Sequence, residues 1–260
     1  MNRLEYFNLQ LSGFRSFLIR GAIRIWRLRF QSLAILIGAI FNFYVLGVLL
    51  GNSIPTVVPY ARQVIPGLLM HIMLLTGLQD PCWNLFIQRF NKELMAAVSS
   101  PVHTYTILLS FVAVTLFRAV ISFMIYYGAI SFMADATILQ PLPFFMLLGN
   151  TVVFFSLVGL RSGLMARDFA DAGALENTLI NIGISLSGSI YSLDMISNPF
   201  VKNVVKFNPV YYLTSSLKHY FWGCTNFVPP MGTNLVFFGV NILAFLYLAR
   251  LFDNSPNIRS

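Results

Sequence analysis

Six apolar runs separated by shorter polar segments set the plan of this chain: Leu33–Leu50, Val64–Phe86, Tyr105–Phe132, Phe144–Met165, Leu175–Ile196 and Leu235–Phe252. Each comes near or exceeds the roughly 20 residues that a helix needs to cross a hydrocarbon core. The runs are rich in Phe and Leu and lack the alternating polar positions of a barrel strand. The pattern therefore predicts an all-α membrane protein with six transmembrane helices. Ahead of them, Phe14, Phe17, Leu18, Ile25 and Leu28 fall on one side of a helix, with Arg20, Arg24 and Arg27 on another. This predicts an amphipathic connector over residues 1–30 lying along the inner membrane surface, in front of a six-helix domain of residues 31–260. Ile19, Ile23 and Trp26 interrupt its polar face and favour burial against protein as well as lipid. A simple positive anchor fits the same pattern, as does a connector that touches a cytoplasmic partner.

Composition agrees with the pattern. The chain is 57% hydrophobic and only 10% charged, with a mean hydropathy of +0.73, whereas soluble domains carry about a quarter charged residues. The net charge of +8 sets the orientation. With the N-terminus inside, Arg3, Arg15, Arg20, Arg24, Arg27, Arg29, Arg89, Lys92, Arg161, Arg167, Arg250 and Arg259 fall on the cytoplasmic side. Arg62, Lys202, Lys206 and Lys218 fall outside, so both termini are expected to be cytoplasmic. The inner surface and its anionic lipids account for the positive charge without a nucleic-acid partner. No small-residue cleavage site follows the first run, which is therefore expected to stay as an anchor. Cys82 and Cys224 are placed near opposite faces, and two cysteines with three scattered histidines make no ligand cluster.

The polar segments differ in character. Asn84–His103 reads as a short helix closed by Ser100 and Pro101 and carrying Arg89, Lys92 and Glu93, where charge retention alone would predict cations but no helix. Ala166–Gly173 is a short charged turn with Arg167, Asp168 and Asp171. Ser197–Gly232 contains NPF, FNPVYYL, KHYFWG and VPP, with Asn208 as a helix cap and Pro209 at the first helical position. A broken hairpin re-entering the outer leaflet beside the exit of a path fits this segment, and an aromatic belt of Tyr211, Tyr212, Tyr220, Phe221 and Trp222 fits it as well.

Charges near the runs are few: Asp80 and Glu176 towards the inner ends, Asp194 towards the outer end, and Arg118 midway along the third. An unpaired deep Arg costs about 2.5 to 3.5 kcal/mol on insertion scales, so Arg118 is expected to face the bundle or an aqueous cleft, either paired across helices or touching substrate. There is no chain of membrane carboxylates for a proton relay, and no GxxxxGK[ST] loop to cradle ATP phosphates.

The order and spacing of VIPGLLM, QRFNKELMAAVSSPV, FRAV, RDFADA, GSIYSLDMI and FNPVYYL, behind a basic amphipathic start, cover nearly the whole chain. The chain resembles the permease subunit of type II ABC exporters. The resemblance implies six helices per subunit, a permease homodimer in a bacterial inner membrane, and two copies of a separate cytoplasmic ATPase that binds ATP and Mg, with no cofactor in this chain. It implies a coupling helix placing Gln88, Arg89, Phe90, Asn91, Lys92, Glu93 and Leu94 against the ATPase, with Arg167 and Asp168 as a second contact. It maps the outer hairpin onto Asn198–Phe221. Candidate path or gate residues are Phe41, Phe43, Tyr44, Ser187 and Tyr191 on the first and fifth spans, with Arg118, Asn208, Tyr211 and Tyr212. The segment INIGISLSGSIYSL departs from the family, which often has a Pro in the fifth span and paired glycines before the Tyr-Ser. The exported molecule is expected to be amphipathic: a lipid-linked glycan, a lipid or a drug.

Two other readings stay open at this level. A membrane-embedded lipid-modifying enzyme would use Arg118 with Asp80 or Glu176 to hold a headgroup, although no nucleophile, base and orienter occur together. A non-transporting scaffold would need no aqueous path and would tolerate loss of Arg118.

Overall fold

In the computed structural model, residues 3–27, 29–45, 60–132, 137–189, 191, 196–223 and 230–254 are described, and their regular structure is helical throughout. The chain runs through α1 (Arg3–Arg27), α2 (Arg29–Phe43), α3 (Tyr60–Phe90), α4 (Glu93–Val98), α5 (Thr104–Ser131), α6 (Pro141–Met165), α7 (Phe169–Ser185), α8 (Pro199–Phe207), α9 (Pro209–Trp222) and α10 (Pro230–Asp253). Asp194 and Cys224, singled out in the sequence, lie outside the described residues, as does the end of the first expected span.

Three of these helices, α5, α6 and α10, are long and apolar enough to cross a membrane. The other expected spans look different for identifiable reasons. The second lies inside α3, which at 31 residues is long enough but carries Asp80 and Arg89 and is interrupted by Pro66 and Pro81. The fifth is represented by α7, whose 17 residues rise only about 26 Å. The first is seen as α2 over 15 residues.

The centre of the bundle is the pair α3 and α6. A side chain at Gly159 would stand 2.3 Å from the Leu78 carbonyl oxygen, and one at Gly163 would stand 2.4 Å from that of Cys82. Small residues four apart let two helix backbones touch, which is how helices associate where lipid removes the hydrophobic drive between them. Pro81 takes part: its ring lies at the same contact, and without an N–H it leaves the Gly77 carbonyl without its usual helical partner. Around this pair, α2, α5 and α9 close one apolar core that includes Phe43, Leu69, Tyr126, Phe144, Leu213 and Phe221. Nearer the other ends of the helices, Leu85, Leu94, Leu108, Leu160, Leu248 and Phe252 form a second.

The α6 and α10 helices are joined by amides. Asn150 Nδ2 donates to the Asn234 carbonyl (3.3 Å), Asn234 Nδ2 donates to the Pro143 carbonyl and the Tyr220 hydroxyl (both 3.2 Å), and Asn241 Nδ2 donates to the Asn150 carbonyl (3.0 Å). Asn234 and Asn241 are seven residues apart, hence on one helix face.

The connector helix α1 packs along the first half of α5: a side chain at Gly13 would press on Val102, and one at Gly21 on Val114. Gln10 pins it, donating to the Pro101 carbonyl (3.1 Å) and accepting from the His103 amide (3.0 Å) and the Thr106 hydroxyl (2.9 Å). The His103 amide lies just ahead of α5, where backbone N–H groups lack helical partners. The apolar positions that suggested a surface helix are thus partly spent on protein contact.

Replacing Gly159 or Gly163 by Val is expected to destabilise the bundle by about 3 kcal/mol, the upper end of overpacking costs, because backbone is what the new side chain meets. Gly149, with open space around its Cα, should accept Ala without loss. Thermal denaturation followed by size-exclusion chromatography in detergent checks the contrast.

Candidate functional site

At the end of α3, the stretch expected as one helix over Gln88–Leu94 is instead two pieces and a turn. Gln88, Arg89 and Phe90 complete α3; Asn91 and Lys92 form the turn, with Lys92 at φ 60; Glu93 begins α4. Leu94 points into the core, 1% exposed, so it anchors the turn, whereas Phe90, Asn91, Lys92 and Glu93 are all exposed. The left-handed residue at Lys92 is what reverses the chain, at a position where Asn or Gly would be the commoner choice.

The turn after α6 comes to the same place. Arg89 donates to the carbonyls of Leu164 and Ala166, completing the C-terminal end of α6 with a cation where the helix dipole is negative. Asp168 caps α7 by accepting from the Asp171 amide at 2.7 Å, and the Arg167 amide donates to Asp171 Oδ2 at 3.3 Å. Phe169 then reaches back over α3, its ring 5.0 Å from both Phe86 and Phe90 and 6.3 Å from Trp83. Trp83 Nε1 in turn donates to the buried Glu176 of α7.

The result is a platform: Phe90 and Phe169, 60% and 50% exposed, stand side by side with Lys92, Glu93, Arg167 and Asp168 around them. Exposed rings set among charges of both signs leave apolar area open to solvent at this end of the helices. The expected coupling residues from α3, α4 and α7 are thereby brought together. Three are exceptions: Gln88 turns aside to donate to Asn84 Oδ1 at 2.8 Å, Arg89 is spent on the end of α6, and Leu94 is in the core.

Arg118 lies 8% exposed on α5 and pairs with Asp80 of α3 at 2.5 Å. Arg24 of α1 donates to Asn84, one turn along α3 from Asp80. These groups line a cavity of about 370 Å³ between α1, α3 and α5. The parts played by Arg24 and Gln10 were not foreseen, since each is one polar residue among several on α1.

The remaining candidates divide. Phe41 on α2 and Tyr44 just past its end are exposed, while Phe43 is fully buried in the core, as their spacing requires. After α7, Ser187 is buried and donates to the Ile184 carbonyl (2.7 Å), Gly188 is left-handed at φ 65, and the Tyr191 hydroxyl donates to the Ser185 carbonyl (2.8 Å). Lys218 of α9 crosses to the Gly188 carbonyl at 2.7 Å. Asn208 caps α9 as the Asn-Pro pair predicts and also donates to the Gly183 carbonyl (3.0 Å), tying α9 to α7. Tyr211 and Tyr212 lie edge to face at the start of α9, 5.4 Å apart. Phe41 and Tyr44 are not among the groups that meet there.

Comparison with known proteins supplies the class. The family described as ABC-2 type transporter matches residues 12–222, and the chain belongs to that family. It is 25% identical over 225 residues to the inner membrane transport permease YadH of Escherichia coli K12, covering 84% of this chain and 85% of that protein. The permease of the same name from Shigella flexneri matches to the same extent.

Breaking the Asp80–Arg118 pair from one side alone is expected to be costly, and removing both partners much less so. Arg118→Leu leaves a buried carboxylate and should destabilise by about 3 to 5 kcal/mol, while adding Asp80→Asn should recover most of that. A double-mutant cycle of thermal stabilities measures the coupling.

Proposed function

We propose that the chain is the membrane subunit of an ATP-driven exporter that moves an amphipathic molecule from the cytoplasmic side outward, in the inner membrane of a bacterium. The observation that carries this reading is the platform of Phe90, Lys92, Glu93, Phe169 and Arg167, which gathers three separate segments into one exposed contact. Membership of the ABC-2 type family supports a separate ABC ATPase as the partner that sits there, and the similarity to inner membrane transport permeases supports the location.

In this reading ATP and Mg are bound by two copies of the ATPase, and this chain forms a homodimer with both termini cytoplasmic. Six spans are reached by counting α2 with its continuation, α3 and α7 beside the three apolar helices; α8 and α9 form the re-entrant hairpin at the outer side. Phe41 of α2, Tyr44 just past it, and Ser187 and Tyr191 after α7 would border the path between the two copies. ATP binding would draw the ATPases together, and the platform would carry that movement into α3 and α7 as rigid-body rotation. Lipid-linked glycans, lipids and drugs share the amphipathic character that such a path would accept.

Glu93→Arg, at an exposed position, should leave folding and dimerisation unchanged but lower substrate-stimulated ATP hydrolysis of the reconstituted complex by at least about tenfold, the effect of about 1.4 kcal/mol at an interface. Hydrolysis equal to wild type in proteoliposomes would remove the platform from the coupling path. Purification of the tagged chain from its native membrane in mild detergent tests the partner: a stoichiometric subunit with a Walker A sequence is expected, and a chain that reproducibly comes alone would overturn the exporter reading.

A further inference from the structure

We propose that the cavity between α1, α3 and α5 binds the headgroup of an anionic phospholipid whose phosphodiester carries hydroxyl donors, of the phosphatidylglycerol kind. Its volume of about 370 Å³ lies within the range of small-molecule sites, roughly 300 to 1,000 Å³. The charged side chains that line it are Arg24, Arg118 and Asp80, one positive charge in excess. Arg118 is buried and Arg24 half-buried, with one carboxylate between them, and a phosphodiester brings the single negative charge that balances this set. Guanidinium groups also match phosphate oxygens with paired donors, which an ammonium does not.

A second observation is independent of the charge count. Asp80 Oδ2 is buried without a hydrogen-bond partner, although Oδ1 is held by Arg118. An orphaned carboxylate oxygen beside a cavity calls for a donor. A small rotation of the Asp80 carboxylate towards the cavity would offer that oxygen to the hydroxyls of a glycerol headgroup, which donate without adding charge. A choline headgroup has no donor to give, and an ethanolamine headgroup is neutral overall and leaves the excess positive charge in place.

The apolar part of the wall, formed by Ile25, Trp83 and Ile87, suits the first carbons of an acyl chain. Arg20 and Arg27 lie within a turn of Arg24 along α1 and Arg29 begins α2, and in the proposed orientation this is the band in which cytoplasmic-leaflet headgroups meet basic side chains. A lipid seated there would hold α1 against α3 and α5 by filling the gap between them. The site is built within one chain and stands whether or not the transport reading does.

Native mass spectrometry of the full-length chain, delipidated in detergent and titrated with phosphatidylglycerol or phosphatidylcholine, reads this directly. One phosphatidylglycerol per chain is expected, bound at least about fivefold more tightly than phosphatidylcholine. Arg24→Ala removes one charge-assisted contact and should weaken binding by about tenfold. Ile87→Trp fills the cavity with its charges intact and should do the same, and it decides the matter alone if the Arg24 variant does not fold. Equal binding of the two lipids, or wild-type affinity in a folded variant, would overturn the assignment. Displacement of the lipid by sn-glycerol 3-phosphate at equal concentration would overturn it too, since the tail would then be irrelevant and the site one for soluble phosphate.

Discussion

Backbone contact between α3 and α6 is the constraint on which the other packing rests. Gly159 and Gly163 let α6 lie directly on the carbonyls of Leu78 and Cys82, and small residues are the means by which helices in lipid gain van der Waals contact. Because that contact falls beside Pro81, a stretch of α3 with a missing helical bond is also closely covered by another helix. The charged groups depend on it in turn. Asp80 sits between Leu78 and Cys82, so the same contact that fixes α6 fixes the carboxylate that receives Arg118.

Polar groups do three separate jobs here. Amides of Asn150, Asn234 and Asn241 bind α10 to α6 within apolar helices; Arg89 closes the end of α6; and Gln10 closes the start of α5 from outside it. Arg89 and Gln10 take up backbone groups that a helix end leaves over, and the Asn amides find their partners on the neighbouring helix, as low-dielectric surroundings demand. The two carboxylates named for the enzyme reading are each engaged, Asp80 by Arg118 and Glu176 by Trp83.

The helical class was legible from the apolar runs, and so was the start of α9, because Asn-Pro has a local meaning that no tertiary context needs to supply. The span count was less so. A run such as Val64–Phe86 reads as continuous, yet it belongs to a longer helix whose charged lower part only the fold reveals. The break at Lys92 left no local sign, since Lys is an ordinary helix residue and its left-handed backbone follows from Leu94 being drawn into the core. Partners were the least visible. Arg118 could be placed as deep, but which of three carboxylates it meets depends on how α3 and α5 cross. The pairing of Phe90 with Phe169, 79 positions apart, has no one-dimensional signal at all. The Asn residues in the apolar runs did carry one, since an amide among Leu and Phe calls for a partner.

Arg89 ties the end of α3 to the end of α6, and the glycine contact ties the same two helices further along. Two fastenings at different heights make the pair a beam. With 31 residues in α3, that beam is about 46 Å long. A tilt of about 5° at the end bearing Phe90 then displaces the far end by about 4 Å, the width of a small side chain, with no change in either helix. At that far end Gly67 of α3 lies against the backbone of Ser189, so the tightest joint in the upper half of the molecule sits where the beam swings most.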